Sequence, residues 1–272
     1  MNDHESRRNL QGTALITGAS SGIGATYAER LARRGHDLIL VARNHERLNA
    51  LATRLRVSCG VTVDVLQADL TVSADLARVE QRIATDPKIG ILINNAGVAV
   101  LGTLVQADID RVDAMLQLNV VVPTRLAAAA AKAFLIRGSG SVINIASVTA
   151  FMAEQFSGTY SGSKAYLLNL SQSMDAELRP AGVHVQAVLP GVTRTEIWER
   201  SGQAVENLPA SMIMEVGDMV DAALAGFAAG ELVTIPSLPD MADFEALEAA
   251  RRTLHPNLSR NVPAKRYGIA VA

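Results

Sequence analysis

Residues 13–17, Thr-Ala-Leu-Ile-Thr, run directly into Gly18-Ala19-Ser20-Ser21-Gly22-Ile23-Gly24, and a helical pattern follows from Ala25 to Arg34. This succession of short apolar strand, glycine-rich turn and helix start restricts the possible folds more than any other feature of the chain. The strand needs burial, and the helix has to cross back over it. The turn presents free backbone N–H groups at the positive end of a helix dipole, which is an anion site. Glycines allow the backbone to approach a phosphate closely. The spacing is Gly-x3-Gly-x-Gly, and its place between a buried strand and an amphipathic helix is the context such a motif requires. Gly18, Ser20, Ser21, Gly22, Ile23 and Gly24 are therefore candidate contacts for a dinucleotide pyrophosphate.

Further strands are expected at 37–42, 62–67, 91–93, 142–145, 183–189 and 232–235, with helical patterns of ten or more residues between them. Strands alternating with crossover helices give a parallel sheet covered on both faces. The fold class is thus α/β, a Rossmann-type, doubly wound, seven-stranded parallel sheet in a single domain. A length of 272 residues with 49% apolar content suits one large core. Ligands of such sheets bind beyond the C-terminal strand ends, near the switch in strand order.

The second strand, Asp37 to Ala42, is followed by Arg43. An acidic residue at that strand end would accept a ribose 2′-hydroxyl, whereas an arginine accommodates a 2′-phosphate. Ala42 fills the acid's place, and the planar, permanently charged Arg43 suits phosphate, so NADP(H) is expected over NAD(H). Tyr160 and Lys164 stand four apart and share one helix face, with Ser147 lying 13 residues before Tyr160. A free phenol has a pKa of about 10. A neighbouring ammonium is expected to lower it, and a tuned phenol beside a serine hydroxyl suits general acid/base work on a ketone or alcohol.

With these residues in view, the chain resembles the short-chain dehydrogenase/reductase family over roughly residues 10–235. Thr17-Gly18-x3-Gly22-Ile23-Gly24 is similar to that family's cofactor turn. Asp69-Leu70 resembles its adenine-side acid, and Asn94-Asn95-Ala96-Gly97 its motif after the fourth strand. Asn119, Ser147, Tyr160 and Lys164 resemble its catalytic tetrad. Pro190-Gly191, followed by Thr195, resembles the segment that closes over the nicotinamide. The resemblance implies that Tyr160 is the general acid in reduction and the general base in oxidation. It implies that Lys164 tunes the phenol and holds the nicotinamide ribose, that Ser147 binds the substrate oxygen, and that Asn119 holds a relay water.

The remaining sequence narrows the function further. A net charge of −2 offers no attraction for nucleic acid or an anionic membrane, and Cys59, the sole cysteine, excludes an internal disulfide and a thiolate metal site. The five histidines show no paired ligand spacing, so no metal is expected. Ser6-Arg7-Arg8 is similar to a twin-arginine signal, but the apolar run behind it is only Ala14–Ile16. The apolar stretch from Leu126 to Ile136 contains Lys132 and is short for a bilayer span. A soluble, cytoplasmic protein is the expectation. Long helices at 109–136 and 160–178 would, by the resemblance, pair into a homodimer or homotetramer.

Residues 1–9 read as a loose arm, 10–235 as the dinucleotide-binding catalytic domain, and 236–272 as a C-terminal extension of it. The substrate loop spans 194–216, and Ile197, Trp198, Leu208, Met212, Ile213 and Met214 are expected to form an apolar lid, with Phe151, Met152 and Phe156 opposite. The expected activity is hydride transfer between NADP(H) and a small apolar carbonyl compound or secondary alcohol. The alternatives are a 3-oxoacyl thioester reductase and, from another class, a non-catalytic NADP-sensing regulator.

Overall fold

In the computed structural model, which describes residues 10–201 and 204–269 except the Arg200 side chain, β1 (Thr13–Thr17) is buried from Ala14 onward. Both of its faces are covered, so its residues are apolar without alternation. The other strands are β2 (Leu38–Ala42), β3 (Val63–Gln67), β4 (Ile89–Asn94), β5 (Gly140–Ile145), β6 (Val183–Val188) and β7 (Val233–Thr234). They form one seven-stranded sheet of order β3-β2-β1-β4-β5-β6-β7. Every pairing is parallel. Strand order reverses between β1 and β4, so the crevice opens beyond their C-terminal ends.

The crossover helices are α1 (Gly22–Ala32), α2 (His45–Cys59), α3 (Ser73–Thr85), α4 (Ile109–Leu116), α5 (Val122–Arg137), α6 (Gly158–Leu178), the single-turn α7 (Ile197–Arg200) and α8 (Val216–Ala229). Successive strand residues point to opposite faces. Ile16, Leu40, Ile93 and Ile143 accordingly pack under Tyr27, Leu48, Leu224 and Phe227 of α1, α2 and α8. Their neighbours Leu15, Ile39, Leu92 and Val142 pack under Leu76, Leu126, Phe134 and Met174 of α3, α5 and α6. Burying a single leucine or phenylalanine side chain contributes about 1.5–3 kcal/mol, so these two layers dominate the stability of the sheet.

The long helix expected at 109–136 is not uniform. A π-helical turn at Gln117–Val121 separates α4 from α5, and the Val122 N–H reaches the carbonyl of Gln117, five residues back. The cause lies in the sequence. Pro123 has no N–H, so the carbonyl of Asn119 has no partner at the α-helical offset and the ladder shifts at this point. The continuous span Ile109–Arg137 is long and apolar enough to cross a membrane by length and composition. Its Leu126, Ala127, Ala130 and Phe134 are buried against the sheet, and its Arg125 pairs with Glu80 of α3.

Contacts divide the chain into residues 1–236 and 237–272. Within the second unit α9 spans Met241–Thr253, starting where the Asp240 carboxylate accepts from the Ala242 N–H and caps the helix. The arm expected at residues 1–9 lies outside the described residues.

Candidate active site

The turn after β1 is shaped by its own hydrogen bonds. The Thr17 hydroxyl accepts from the N–H groups of Asn95 and Ala96 at 2.9 and 3.0 Å, and the Asn95 amide donates to the carbonyl of Thr17 at 2.9 Å. Gly18 and Gly22 adopt φ of +65° and +52°, where a side chain is strained. A Cβ on Gly24 would stand 2.5 Å from the Asn95 amide and from the Gly18 carbonyl oxygen. Gly24 is thus required by packing, and it does not reach the crevice. Ser21, at the start of α1, makes no side-chain capping bond, so the first N–H groups of that helix are not occupied by their own cap.

Above this turn lies a cavity of about 940 Å³. Gly18, Ser20, Ser21, Gly22 and Ile23 line one part of it. Arg43, Asp69 and Leu70 line a second part, and Asn95, Ala96, Gly97, Pro190, Gly191 and Thr195 a third. Arg43 stands 3.8 Å from Asp69. Partial burial works to raise the Asp69 carboxyl, but hydrogen bonds from the Thr71 hydroxyl and N–H, with the Arg43 charge, hold it below its ordinary value. Arg47 also lines the cavity, and its guanidinium pairs with Glu196 at 2.8 Å. Sequence reading passed over Arg47. The available signal was its position one helical turn beyond Arg43, at the start of a helix that Asn44 caps through the Arg47 N–H.

Ser147 leaves the end of β5, and Tyr160 and Lys164 stand in the first two turns of α6; all three line the cavity. The Lys164 ammonium donates to the carbonyl of Ile145 at 2.9 Å and lies 5.8 Å from the centre of the Tyr160 ring. Burial lowers Lys164 to about 8. Burial also pushes the Tyr160 phenol up to about 12, against a smaller downward pull from its hydrogen bond with Ser147. The expectation that Lys164 holds the phenol below its ordinary value is not met in this geometry. Desolvation sets the direction for each group.

Asn119 is buried behind the cavity, in the π turn. Its side-chain carbonyl accepts from the Val98 N–H at 3.0 Å, and its amide donates to the Val98 carbonyl at 2.9 Å and to the Ser163 hydroxyl at 3.2 Å. Ser163 in turn donates to the Tyr160 carbonyl at 2.7 Å, so Asn119 ties the loop after β4 to the helix that carries Tyr160. Gly97 leaves the room this needs, since a Cβ there would meet the Asn119 side chain at 3.1 Å.

The apolar lid is smaller than expected. Ile197, Trp198 and, opposite, Phe156 line the cavity. Trp198 is fixed by its indole N–H donating to the Thr193 carbonyl at 2.9 Å. Leu208, Met212, Ile213, Met214, Phe151 and Met152 do not line it. Met214 packs instead on the α1–α2–α8 core, while Met212 and Phe151 are exposed to solvent. The backbone of Met214 bonds to Val192 and Arg194, which turns this end of the loop away from the crevice.

The profile of the short chain dehydrogenase family matches residues 12–206. The solved short-chain dehydrogenase of Sphingobium yanoikuyae in complex with NADPH is 54% identical, covers 94% of this chain and 99% of its own, and superposes with a TM-score of 0.92. The bulky-bulky ketone specific alcohol dehydrogenase of Comamonas testosteroni is 49% identical over 95% of this chain and 99% of its own, with a TM-score of 0.87. An uncharacterized oxidoreductase of Staphylococcus saprophyticus is 33% identical over 68% of this chain and 79% of its own length.

Proposed function

Because the chain belongs to the short-chain dehydrogenase family, we propose that it is an NADP(H)-dependent oxidoreductase that interconverts a ketone carrying two sizeable apolar substituents and its secondary alcohol. One observation carries this reading. A single cavity holds Ser147, Tyr160 and Lys164 beside the glycine-rich turn after β1 and the guanidinium groups of Arg43 and Arg47. The Sphingobium relative's NADPH and the Comamonas relative's preference for bulky ketones support it.

The residues present fit the cofactor. The uncapped start of α1 at Ser20, Ser21, Gly22 and Ile23 offers N–H groups to a pyrophosphate. Arg43 and Arg47 would offer guanidinium groups to a 2′-phosphate, and Asp69 and Leu70 would hold the adenine end. Asn95, Ala96, Gly97, Pro190, Gly191 and Thr195, which line the same cavity, would hold the nicotinamide half, and Lys164 its ribose. When bound, the cofactor supplies or accepts the hydride.

The protein's own groups manage the oxygen of the substrate. A phenol displaced upward to about 12 is protonated at neutral pH, so Tyr160 enters a reduction with the proton it has to give. That proton goes to the carbonyl oxygen as negative charge develops there, and the Ser147 hydroxyl donates a second hydrogen bond to the same atom. Lys164, lowered to about 8, exchanges its own proton near neutrality and restores the phenol. Asn119 keeps α6 in register with the loop after β4, which fixes where the phenol stands. In oxidation the roles of Tyr160 reverse.

The chamber beyond Tyr160, with Val98, Val148, Phe156, Ile197 and Trp198 on its walls, favours apolar substituents on the carbonyl carbon. A phosphopantetheine thioester on an acidic carrier is disfavoured, because Arg194 at the loop is already paired with Glu206 and Glu215 at 3.0 and 2.8 Å. We further place the protein as a homodimer or homotetramer through the exposed faces of α5 and α6. The test is NADPH consumption with aryl alkyl ketones of increasing size, set against acetoacetyl thioesters. Turnover of bulky ketones with little on thioesters is expected, and turnover of thioesters alone would overturn the assignment.

A further inference from the structure

The cavity that holds Tyr160 has apolar walls at Val98, Val100, Leu118, Val148, Phe156 and Trp198. Three guanidinium groups line the whole cavity, and two are engaged by carboxylates: Arg43 by Asp69 and Arg47 by Glu196. The third, Arg111, makes no ion pair among the described residues. It stands on α4, whose Val112 and Met115 pack against Val100 and against Tyr160 itself, so the helix that carries Arg111 forms the wall next to the phenol. Ala114 and Leu118, three and seven residues further on, line the cavity with it on one helical stripe. The other ionisable residues lining the cavity are Asp69 and Glu196, which face the two paired arginines, and Tyr160 and Lys164 at the reacting end.

The start of α4 does not consume the guanidinium. Asp108 caps the helix through its carboxylate oxygen, which accepts from the backbone N–H groups of Asp110 and Arg111 at 3.1 and 3.3 Å. The acid three residues before Arg111 is therefore turned to the backbone. A permanently charged planar donor at the rim of this cavity, held by no carboxylate among the described residues, suits an anionic oxygen pair at the far end of an apolar ligand.

We propose that Arg111 forms a subsite for the carboxylate of an oxo acid, and that the preferred substrates are bulky apolar ketones bearing a carboxylate distal to the reacting carbonyl. This rests on the ketone-reductase reading above and narrows its substrate class. The carbonyl lies at Tyr160 and Ser147, the apolar body along the Val100–Leu118 wall, and the carboxylate at Arg111.

The experiment compares matched pairs, an aryl oxo acid such as 4-oxo-4-phenylbutanoate and its methyl ester, with NADPH and the full-length enzyme. The quantity read is the ratio of kcat/KM for acid over ester. A ratio of about twofold to fivefold is expected in the native protein, the scale of a partly exposed ion pair, carried mainly by KM. It should fall toward one in Arg111→Gln, be partly kept in Arg111→Lys, and shrink as ionic strength rises. Equal treatment of acid and ester by the native enzyme, or an unchanged ratio in Arg111→Gln, overturns the proposal. Calorimetric binding of the acid to the NADPH-loaded protein separates the two readings. Binding that needs Arg111 without any ketone turnover supports the subsite and sinks the reductase assignment. Ketone turnover with no Arg111-dependent binding does the reverse.

Discussion

Pro123 follows Asn119 by four residues, so the backbone donor that an α-helix would bring to the Asn119 carbonyl does not exist, and the π turn between α4 and α5 forms there. The turn swings the Asn119 side chain onto Val98 and Ser163 and thereby links the loop after β4 to the helix of Tyr160. Pro123→Ala restores the missing N–H and removes the reason for the turn. We expect thermal stability within about 1 kcal/mol of the native protein. Turnover should nevertheless fall by roughly tenfold to a hundredfold, as small misplacements of catalytic groups do. Unchanged kcat in a variant with normal Tm would show that the π turn does not position the site.

Tyr160→Phe removes the proton donor while leaving the ring that packs on Val100 and Met115. The expected loss in kcat is about 10²- to 10⁴-fold. The affinity for NADPH, read from quenching of Trp198 fluorescence, should change little. Retention of most turnover would place the proton source elsewhere.

Lys164 makes the protein's stability depend on alkaline pH in a definite direction. Its value is about 8 in the folded state against 10.5 for the free group, so between those limits the unfolded chain binds more protons than the native one. Stability therefore rises with pH through that window, because the cost of burying the ammonium disappears as it deprotonates. Tyr160 acts oppositely at higher pH: its folded value of about 12 lies above 10.0, so its contribution falls as pH rises between them. Lys164→Met isolates the lysine. Urea unfolding at a series of pH values should show the native protein gaining on the variant by up to about 3 kcal/mol between pH 8 and 10.5. A flat difference would mean that Lys164 is not desolvated.

Much of the architecture was legible because it is written locally. Thr13 to Arg34 encodes strand, turn and helix within a single crossover unit, and the other strands announce themselves as short apolar runs between helical stretches. What escaped depended on distant packing. Arg47 enters the crevice only because α2 folds back onto β2 and β3, and its tie to Glu196 joins residues far apart in the chain. The spacing of Tyr160 and Lys164 suggests a charge effect, but the burial that overrides it comes from β5 and the rest of the cavity wall. The Leu208–Met214 segment is apolar enough for a lid, yet backbone bonds from Met214 to Val192 and Arg194 turn its end toward the core. The π turn had a visible cue in Pro123, whose meaning depends on knowing that the helix was already running.

The assembly is testable through α5 and α6. Tyr166 of α6 hydrogen-bonds Thr124 of α5 at 3.0 Å yet remains 40% exposed, and Leu135 near the end of α5 is 43% exposed. Light scattering at micromolar concentration should report a dimer or tetramer, and Tyr166→Glu should shift it toward monomer by placing a charge in the interface. A monomeric native protein would contradict the proposed assembly.

Cofactor choice rests on Arg43 and Arg47 together. Arg43 is 71% exposed and only loosely held by Asp69 at 3.8 Å, so it is free to turn onto a phosphate. Arg47 is held more closely by Glu196, at 2.8 Å, and must exchange that carboxylate for the phosphate. Arg43→Ala should raise the KM for NADPH by roughly tenfold while moving the KM for NADH little, since the lost partner is a charged hydrogen bond that NADH never makes. Arg47→Ala should act in the same direction but less, because the native residue spends part of its interaction on Glu196. Glu196→Gln separates the two effects. With its competitor neutralised, Arg47 binds the phosphate better, and the KM for NADPH should drop below the native value. Parallel changes for both dinucleotides in all three variants would remove the 2′-phosphate from the argument and leave the two arginines as surface charges.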